Sequence, residues 1–228
     1  MLIAIIPARL GSKRIKNKNI KNFLGKPIIS YTINKLKKSN LFDEIFVSTD
    51  SKKIANVAEN YGAKVPFLRD KFLSGDKIST IDVIKGFLSN EYFINKKIKI
   101  VCCVYPCTPL INVKDIEKGI NIFYKQKKSF VYPCLRYKHP IQRSFSLNKN
   151  KSIRYLFPNF EYKRTQDLKY FYHDAGQFYI SNVKNWKNKN KMHTDATSFE
   201  ISNLNAIDID DLEDWKMAEL IYKQKNKI

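Results

Sequence analysis

A run of cationic side chains follows the first apolar segment of the chain. The stretch IPARLGSKRIKNKNI, from Ile6 to Ile20, contains five lysine and arginine residues together with one glycine and one serine. A glycine lets backbone N–H groups approach an anion closely, and cationic side chains can clamp the same anion. The pattern therefore predicts a polyphosphate-binding loop, and the alternative is a basic surface patch. Because neither G-x-G-x-x-G nor G-x-x-x-x-G-K-[ST] is present, a dinucleotide-binding or P-loop ATPase site is disfavoured.

Two carboxylates near the C-terminus have a spacing that suits a metal ion. In AIDIDDLEDW, Asp208 and Asp210 alternate with isoleucine, and the segment from Ala206 to Ile209 is predicted as a strand. Alternate side chains of a strand point to one face, so the two carboxylates could jointly hold a hard cation such as Mg2+. The alternative is an acidic helix start, with Asp210 or Asp211 as the cap, and both roles can coexist.

The elements that position these residues alternate in the first half of the chain. Short apolar runs are followed by segments of helical period, which predicts strand–helix–strand units and a parallel sheet, with the basic loop directly after the first strand. The predicted strands are Leu2 to Ile6, Ile45 to Val47 and Ile98 to Val104, and the predicted helices start near Ile28 or cover about 51–61, 79–88 and 113–124.

The second half of the chain has a different pattern. Short extended pieces between Phe130 and Phe157 are separated by NKNKS, a hairpin-turn signal, which predicts an antiparallel insertion carried on the main sheet. A strand from Phe178 to Ile180 and a last helix from about Leu212 to Lys223 are also predicted. The Lys/Asn-rich stretch from Lys184 to Lys191 is interpreted as a solvated loop.

Length and composition bound the class of protein. A chain of 228 residues, 43% hydrophobic and 13% aromatic, can bury a core and is predicted to form one domain over 1–228, with an inserted extension at about 130–170. The net charge of +21 is compatible with nucleic-acid or membrane-surface binding, but lysines are scattered along the whole chain, which favours general basicity. We therefore predict neither a nucleic-acid partner nor a membrane partner.

Cysteine usage and hydropathy indicate the compartment. Cys102, Cys103, Cys107 and Cys134 lack the two-residue spacing of zinc knuckles and redox motifs. Three of them lie in or beside an apolar run, which predicts buried, reduced thiols. The apolar N-terminus is too short for a signal peptide, and no span approaches membrane length. A soluble, cytoplasmic protein is therefore predicted.

Several motifs together resemble one enzyme family. IPARLGSKRIKNKNI, LGKPII, IFVSTDSKKIANVAENYGAKVPFLR and AIDIDDLEDW are similar, in order and spacing, to the nonulosonate cytidylyltransferases, which activate sialic acids and their bacterial relatives as CMP-sugars. The stretch RTQDLKYFYHDAGQFYI, from Arg164 to Ile180, most resembles the members that act on pseudaminic acid. N-acetylneuraminate and legionaminate are the alternative acceptor sugars, and a nonenzymatic nucleic-acid-binding protein is the remote alternative.

The resemblance implies a fold and a reaction. The fold is a Rossmann-like nucleotide-diphospho-sugar transferase fold of the α/β class, with a mostly parallel sheet and a small antiparallel insertion that forms a homodimer. The reaction transfers CMP from CTP to the anomeric hydroxyl of a nine-carbon 2-keto sugar acid and releases pyrophosphate, for surface glycan or flagellin glycosylation. The resemblance also implies that Asp208 and Asp210 hold Mg2+.

The resemblance assigns further residues by position. The implied nucleotide-binding residues are Ala8, Arg9, Gly11, Ser12, Lys13, Lys18, Asn19 and Arg69. Within this set, Asn19 and Arg69 match positions that contact the cytidine, and the others belong to the triphosphate loop. The implied catalytic residues are Arg9, Lys13, Lys18, Asp208 and Asp210, and the implied sugar-binding residues are Arg164, Gln166, Asp174 and Gln177.

Some roles stay open at this point. Arg164 is preferred over Lys138 and Arg143 as the partner of the sugar carboxylate, and an interface salt bridge is the alternative role for Arg164. His139 and His173 are candidate general bases, each with a structural role as the alternative. Arg14, Lys16 and Asn17 of the basic loop are interpreted as solvent-facing, and Tyr105 stands where the family commonly has glutamine.

Overall fold

The computed structural model describes residues 1–126 and 128–228. In these ranges the strands are β1 (Leu2–Pro7), β2 (Asn22–Phe23), β3 (Lys26–Pro27), β4 (Glu44–Ser48), β5 (Ile100–Val104), β6 (Phe130–Arg136), β7 (Phe145–Leu147), β8 (Ile153–Tyr155), β9 (Tyr172–Asp174), β10 (Phe178–Asn182) and β11 (Ala196–Glu200). The helices are α1 (Ile28–Ser39), α2 (Lys52–Asn60), α3 (Thr80–Leu88), α4 (Val113–Lys125), α5 (Val183–Asn188) and α6 (Leu212–Asn226). Across the same ranges, no helix combines the length and the apolar character needed to cross a membrane.

The main sheet is mixed and mostly parallel. Its strand order is β11-β6-β10-β5-β1-β4, and β9 pairs with the carboxyl-terminal half of β6. Strands β4, β1 and β5 are parallel, and β11 is parallel to β6. Strand β10 runs antiparallel between β5 and β6, so the five remaining long strands all end at the same edge of the sheet. The predicted α/β class with a mostly parallel sheet is confirmed.

Strand β1 is buried on both faces, as its uninterrupted apolar sequence predicts. Ala4 and Ile6 pack in one cluster with Ile29 of α1, whereas Ile5 packs on the opposite face with Ile84 of α3. All four cysteines are buried and unpaired, as predicted. Helices on both faces hold β1 and β5 so that the loops after them meet at one edge of the sheet, which is where ligands bind in open α/β folds.

Two predictions of local structure are wrong. The stretch interpreted as a solvated loop begins instead as α5, where the buried Trp186 packs edge-on against Phe130 and donates its indole N–H to the carbonyl oxygen of Val101 at 3.2 Å. The segment from Ala206 to Ile209 forms neither strand nor helix. A single aromatic anchor among Lys and Asn gives little helical period, and an alternating pattern does not by itself supply a partner strand.

The hairpin predicted in the insertion is present. Strands β7 and β8 form a separate two-stranded sheet, joined by a turn in which Asn148 donates its backbone N–H to the carbonyl oxygen of Ser152 at 2.9 Å. Lys151 of this turn has φ of 60°. The preceding strand β6 belongs to the main sheet, where it pairs antiparallel to β9 and β10 but parallel to β11.

Candidate active site

A cleft of about 710 Å³ opens where β1 and β5 end. The residues that line it come from the end of β1 and the basic loop, from the segment before α3 and the first turns of α3, from the turn after β5 and from the segment before α6. They are Pro7, Arg9, Ser12, Lys13, Arg14, Lys18, Asn19, Arg69, Leu73, Gly75, Asp76, Ile78, Thr80, Val83, Tyr105, Pro106, Asp208 and Asp210. The tertiary structure therefore brings the basic loop together with Asp208 and Asp210, which lie about 190 positions later in the sequence.

The basic loop is folded rather than a disordered patch. Its start is tied to the neighbouring strand, because Ala8 donates its N–H to the carbonyl oxygen of Ser48 at 2.9 Å and Leu10 donates to the Asp50 carboxylate at 3.0 Å. Its end folds back through the buried Asn19, whose side-chain amide donates to the carbonyl oxygen of Arg9 at 2.8 Å. These bonds hold the cationic side chains along one wall of the cleft.

The cations of the loop meet carboxylates from two directions. Arg9 and Lys13 both pair with Asp76, and the distance from Arg9 Nη1 to Asp76 Oδ1 is 2.5 Å. The prediction that Arg14 faces solvent is confirmed, since its side chain is 66% exposed, and its guanidinium also pairs with Asp210 at 2.6 Å. Lys18 donates to the carbonyl oxygen of Ile209 at 2.6 Å and lies 3.9 Å from the Asp210 carboxylate.

Arg69 adds a buried cation to the cleft. Only 7% of its surface is exposed, its backbone N–H donates to the carbonyl oxygen of Thr49 at 2.7 Å, and its Nε donates to Ser74 Oγ at 3.1 Å. Burial lowers the pKa of the Arg69 guanidinium from its ordinary value, and the Asp50 carboxylate opposes that shift. With Nε occupied, the terminal guanidinium nitrogens are the groups left to face a ligand.

The acidic wall of the cleft is set by the start of α6. Asp211 caps this helix by accepting the N–H groups of Glu213 and Asp214, and the Asp214 carboxylate accepts the N–H of Asp210 at 2.9 Å. The predicted helix cap is confirmed for Asp211. The Asp214 carboxylate thus holds the backbone of Asp210 at the start of the helix, and both Asp208 and Asp210 line the cleft although their segment is not a strand.

The turn between β9 and β10 lies beside the Asp208 carboxyl. Asp174 accepts the hydroxyl of Tyr179 at 2.7 Å, pairs with His193 at 2.8 Å and accepts the N–H of Gly176 at 2.8 Å. Gly176 adopts φ of 61° in the left-handed region that favours glycine, and it lies beside the Asp208 carboxyl. The turn thus links Asp174 to the acidic wall of the cleft.

Gln177 belongs to the same turn. It is buried, its amide nitrogen donates to the carbonyl oxygen of Asn205 at 2.6 Å, and its own carbonyl oxygen accepts the N–H of Tyr105 at 2.8 Å. Its side-chain oxygen has no hydrogen-bond partner in the described part of the chain. Gln177 therefore joins the turn after β5 to the segment that carries Asp208.

The predicted sugar-binding residues are not gathered at the cleft. Arg164 and Gln166 are exposed and lie outside its lining, and Arg164 pairs with Asp167 of its own loop at 2.9 Å. Asp174 is half-buried beside a second cavity of about 430 Å³, which His173 also lines. Their assignment to the sugar stays a prediction.

Three residues of the cleft escaped the sequence reasoning. Asp76 stands alone in the turn sequence SGDK, which carries no motif, and Thr80 is the first residue of an ordinary helix. Tyr105 was noted only as a departure from the family, yet its hydroxyl lies 2.9 Å from Thr80 Oγ1 inside the cleft, and burial raises its pKa. A helix N-terminus next to a basic loop was the signal that could have pointed to Thr80.

The acidic wall suits a hard cation. In residues 1–126 and 128–228, no cluster of three or more His, Cys, Asp or Glu side chains is arranged to hold a metal ion alone. Asp208 and Asp210 nevertheless lie together in the cleft, where burial and the charge of Asp210 raise the pKa of Asp208. Two carboxylates that repel each other beside a basic loop are a donor set that fits Mg2+, a hard cation that prefers oxygen ligands.

The raised pKa of Asp208 yields a prediction about stability. A raised pKa means that the folded protein holds this proton more tightly than the unfolded chain, so ionisation destabilises the fold as pH rises through the folded-state pKa. We expect Asp208→Asn to have a higher free energy of unfolding than the wild type at pH 7, measured with urea, and the difference to shrink toward pH 3. Asp70→Asn, which removes an exposed carboxylate from another loop, is the control with no expected gain. A destabilised Asp208→Asn at pH 7 would contradict the argument.

Comparison with solved structures supports the fold. A structure described as CMP:2-keto-3-deoxy-manno-octonic acid synthetase complexed with CTP matches with a TM-score of 0.72 over 98% of this chain and 99% of the other. The sequence identity between them is 15%, so the likeness speaks for the architecture alone.

Comparison with protein sequences identifies the family. The family model described as cytidylyltransferase matches residues 3–228. A pseudaminic acid cytidylyltransferase of Campylobacter jejuni is 40% identical over 97% of this chain and 96% of its own length. A CMP-N,N'-diacetyllegionaminic acid synthase of Legionella pneumophila is 32% identical over 96% of this chain and 94% of its own. The chain therefore belongs to the cytidylyltransferase family and is a CTP-using nucleotidyltransferase, as its motifs predict.

Proposed function

We propose that this enzyme transfers CMP from CTP to the anomeric hydroxyl of pseudaminic acid, giving CMP-pseudaminic acid and pyrophosphate. The observation that carries the proposal is the cleft, in which the cations Arg9, Lys13 and Lys18 face the carboxylates Asp208 and Asp210. The choice of sugar rests on the 40% identity to the Campylobacter jejuni enzyme that is named for pseudaminic acid. We place the reaction in the cytoplasm, where CTP is available.

The proposed reaction needs little covalent work from the protein. The anomeric oxygen of the sugar forms a bond to the α-phosphorus of CTP, its proton is released, and the bond from that phosphorus to the pyrophosphate oxygen breaks. Arg9, Lys13 and Lys18 offset the charge of the triphosphate, and the planar fork of Arg9 suits paired phosphate oxygens. Because the loop is held by Asn19 and Ser48, these cations are in place before the charge redistributes.

The acceptor sugar is tested by direct competition between substrates. We expect the purified protein, incubated with CTP and Mg2+, to release pyrophosphate fastest with pseudaminic acid and to form the CMP-sugar, detected by mass spectrometry. N-acetylneuraminate and legionaminate, each at the same concentration, are the matched comparisons. Equal or faster turnover with either of them would contradict the proposed sugar, while pyrophosphate release would still report the enzyme class.

Asp208 and Asp210 are proposed as the ligands of Mg2+. When bound, the ion neutralises phosphate charge and lowers the pKa of the attacking hydroxyl. The carboxylates of Asp208 and Asp210 would hold the ion, and Arg14 and Lys18 approach the two oxygens of the Asp210 carboxylate from the loop side.

Removal of the metal ligands should reduce turnover far more than it affects folding. We expect Asp208→Asn and Asp210→Asn each to lower kcat by about 100-fold or more, comparable with the loss of one strong transition-state contact. Excess EDTA should abolish wild-type turnover, and added Mg2+ should restore it. Asp211→Asn is the matched control, because asparagine caps a helix as well as aspartate does. Wild-type turnover by both site variants would rule out the metal assignment.

The insertion is proposed as the interface of a homodimer. Ten large hydrophobic side chains between Tyr137 and Tyr172 are at least 41% exposed, an unusual concentration for a surface that faces water. A second copy of the chain would cover them. In such a dimer, Arg164 and Gln166 could contribute to the cleft of the partner chain instead of their own.

The dimer is tested through two of these exposed side chains. Leu147 and Leu156 are 64% and 58% exposed, so the double change Leu147→Glu and Leu156→Glu should leave the fold intact and disrupt the interface. Light scattering after size exclusion should show twice the chain mass for the wild type and one chain mass for the variant. Tyr124→Glu, a change at an exposed aromatic residue outside the insertion, is the control that should stay dimeric. A monomeric wild type would exclude the dimer.

A further inference from the structure

The Asp76 carboxylate forms ion pairs with Arg9 and Lys13, two of the cations proposed to bind the triphosphate. Asp76 lies in the segment between Arg69 and α3, and it lines the cleft opposite the basic loop. Its Oδ1 accepts Nη1 of Arg9 at 2.5 Å, and its Oδ2 pairs with Nζ of Lys13. Each oxygen of this carboxylate therefore occupies one cationic donor of the phosphate-binding loop.

The Asp76 carboxylate offers these donors the same chemistry as a phosphate. Guanidinium and ammonium groups bind the oxygens of carboxylates and phosphates with similar geometry. Lys13 and Arg9 lower the pKa of the Asp76 carboxyl, so it carries its charge at neutral pH. Any phosphate that binds Arg9 and Lys13 must displace this carboxylate or share the cations with it.

The contact is built to be displaced. The side chains of Arg9, Lys13 and Asp76 are 38%, 80% and 40% exposed, and ion pairs in that environment are weak. The segment is anchored upstream, where buried Arg69 bonds to Thr49 and to Ser74. The carboxylate of Asp76 can therefore swing away while the beginning of the segment stays in place.

We propose that Asp76 is an internal competitor of the nucleotide, whose carboxylate holds Arg9 and Lys13 in the free enzyme, yields them to the triphosphate and takes them back when pyrophosphate leaves. The proposal rests on the proposed function in taking CTP as the ligand. Its consequence is an enzyme that binds CTP less tightly than its cations allow and releases pyrophosphate more readily.

Asp76→Asn tests the proposal, because it removes the negative charge and keeps the shape of the side chain. We expect calorimetric titration without sugar to show a dissociation constant for CTP that is about two- to tenfold lower than in the wild type, the effect of removing exposed ion pairs. Inorganic pyrophosphate should show a change in the same direction, and cytidine should show none. Asp70→Asn, in the same segment but with no ion pair to the loop, is the matched control and should bind CTP as the wild type does.

Unchanged or weaker binding of CTP and pyrophosphate by Asp76→Asn would overturn the proposal and assign Asp76 to positioning the loop. A double-mutant cycle sharpens the test, since Asp76→Asn should improve pyrophosphate binding less when Lys13→Ala is already present. The proposed function is tested separately, because it fails if no CMP-sugar forms from CTP. In that case the binding of inorganic pyrophosphate to the wild type and to Asp76→Asn still decides the role of Asp76.

Discussion

The hydrogen bond from Lys18 to the carbonyl oxygen of Ile209 joins the two ends of the chain at the cleft. One partner follows the first strand and the other precedes the last helix, so the bond joins segments that are distant in the sequence. It holds Lys18 close to the Asp210 carboxylate and lets the basic loop form one wall of the site and the acidic segment the other. The ion pair between Arg14 and Asp210 joins the same two segments.

The cleft is preorganised by mutual charge compensation. Arg9 and Lys13 share Asp76, and Arg14 and Lys18 approach Asp210, so opposite charges hold one another in place around an open volume. Because these pairs are exposed, they order the side chains at little cost and can be exchanged for phosphate. Asp208 lacks such a pair in the described part of the chain, and burial together with the charge of Asp210 raises the pKa of its carboxyl.

The turn from Asp174 to Gln177 shows how one short segment serves two neighbours. The Asp174 carboxylate forms hydrogen bonds with the hydroxyl of Tyr179 and the ring of His193. The side-chain amide of Gln177 donates to the carbonyl oxygen of Asn205, and its backbone carbonyl oxygen accepts the N–H of Tyr105. The turn therefore connects the residues after β5, which line the cleft, to the segment that carries Asp208. Asp174 and Gln177, which the family resemblance assigns to sugar binding, therefore already have hydrogen-bond partners within the protein. A sugar that binds them must leave these bonds in place or replace them.

The sequence alone determined the architecture and several of the residues that line the cleft, because apolar runs, helix caps and the loop IPARLGSKRIKNKNI are local signals. Arg9, Lys18 and the two aspartates stand in the basic and acidic motifs, Arg69 is implied by the family resemblance alone, and all five line the cleft. Only the tertiary structure decided that Asp208 and Asp210 line the cleft just before the capped helix α6, that Arg14 pairs with Asp210 and that Asp76 pairs with Arg9 and Lys13. Those contacts join residues distant in sequence, and pairing between distant charges leaves no periodic trace along the chain.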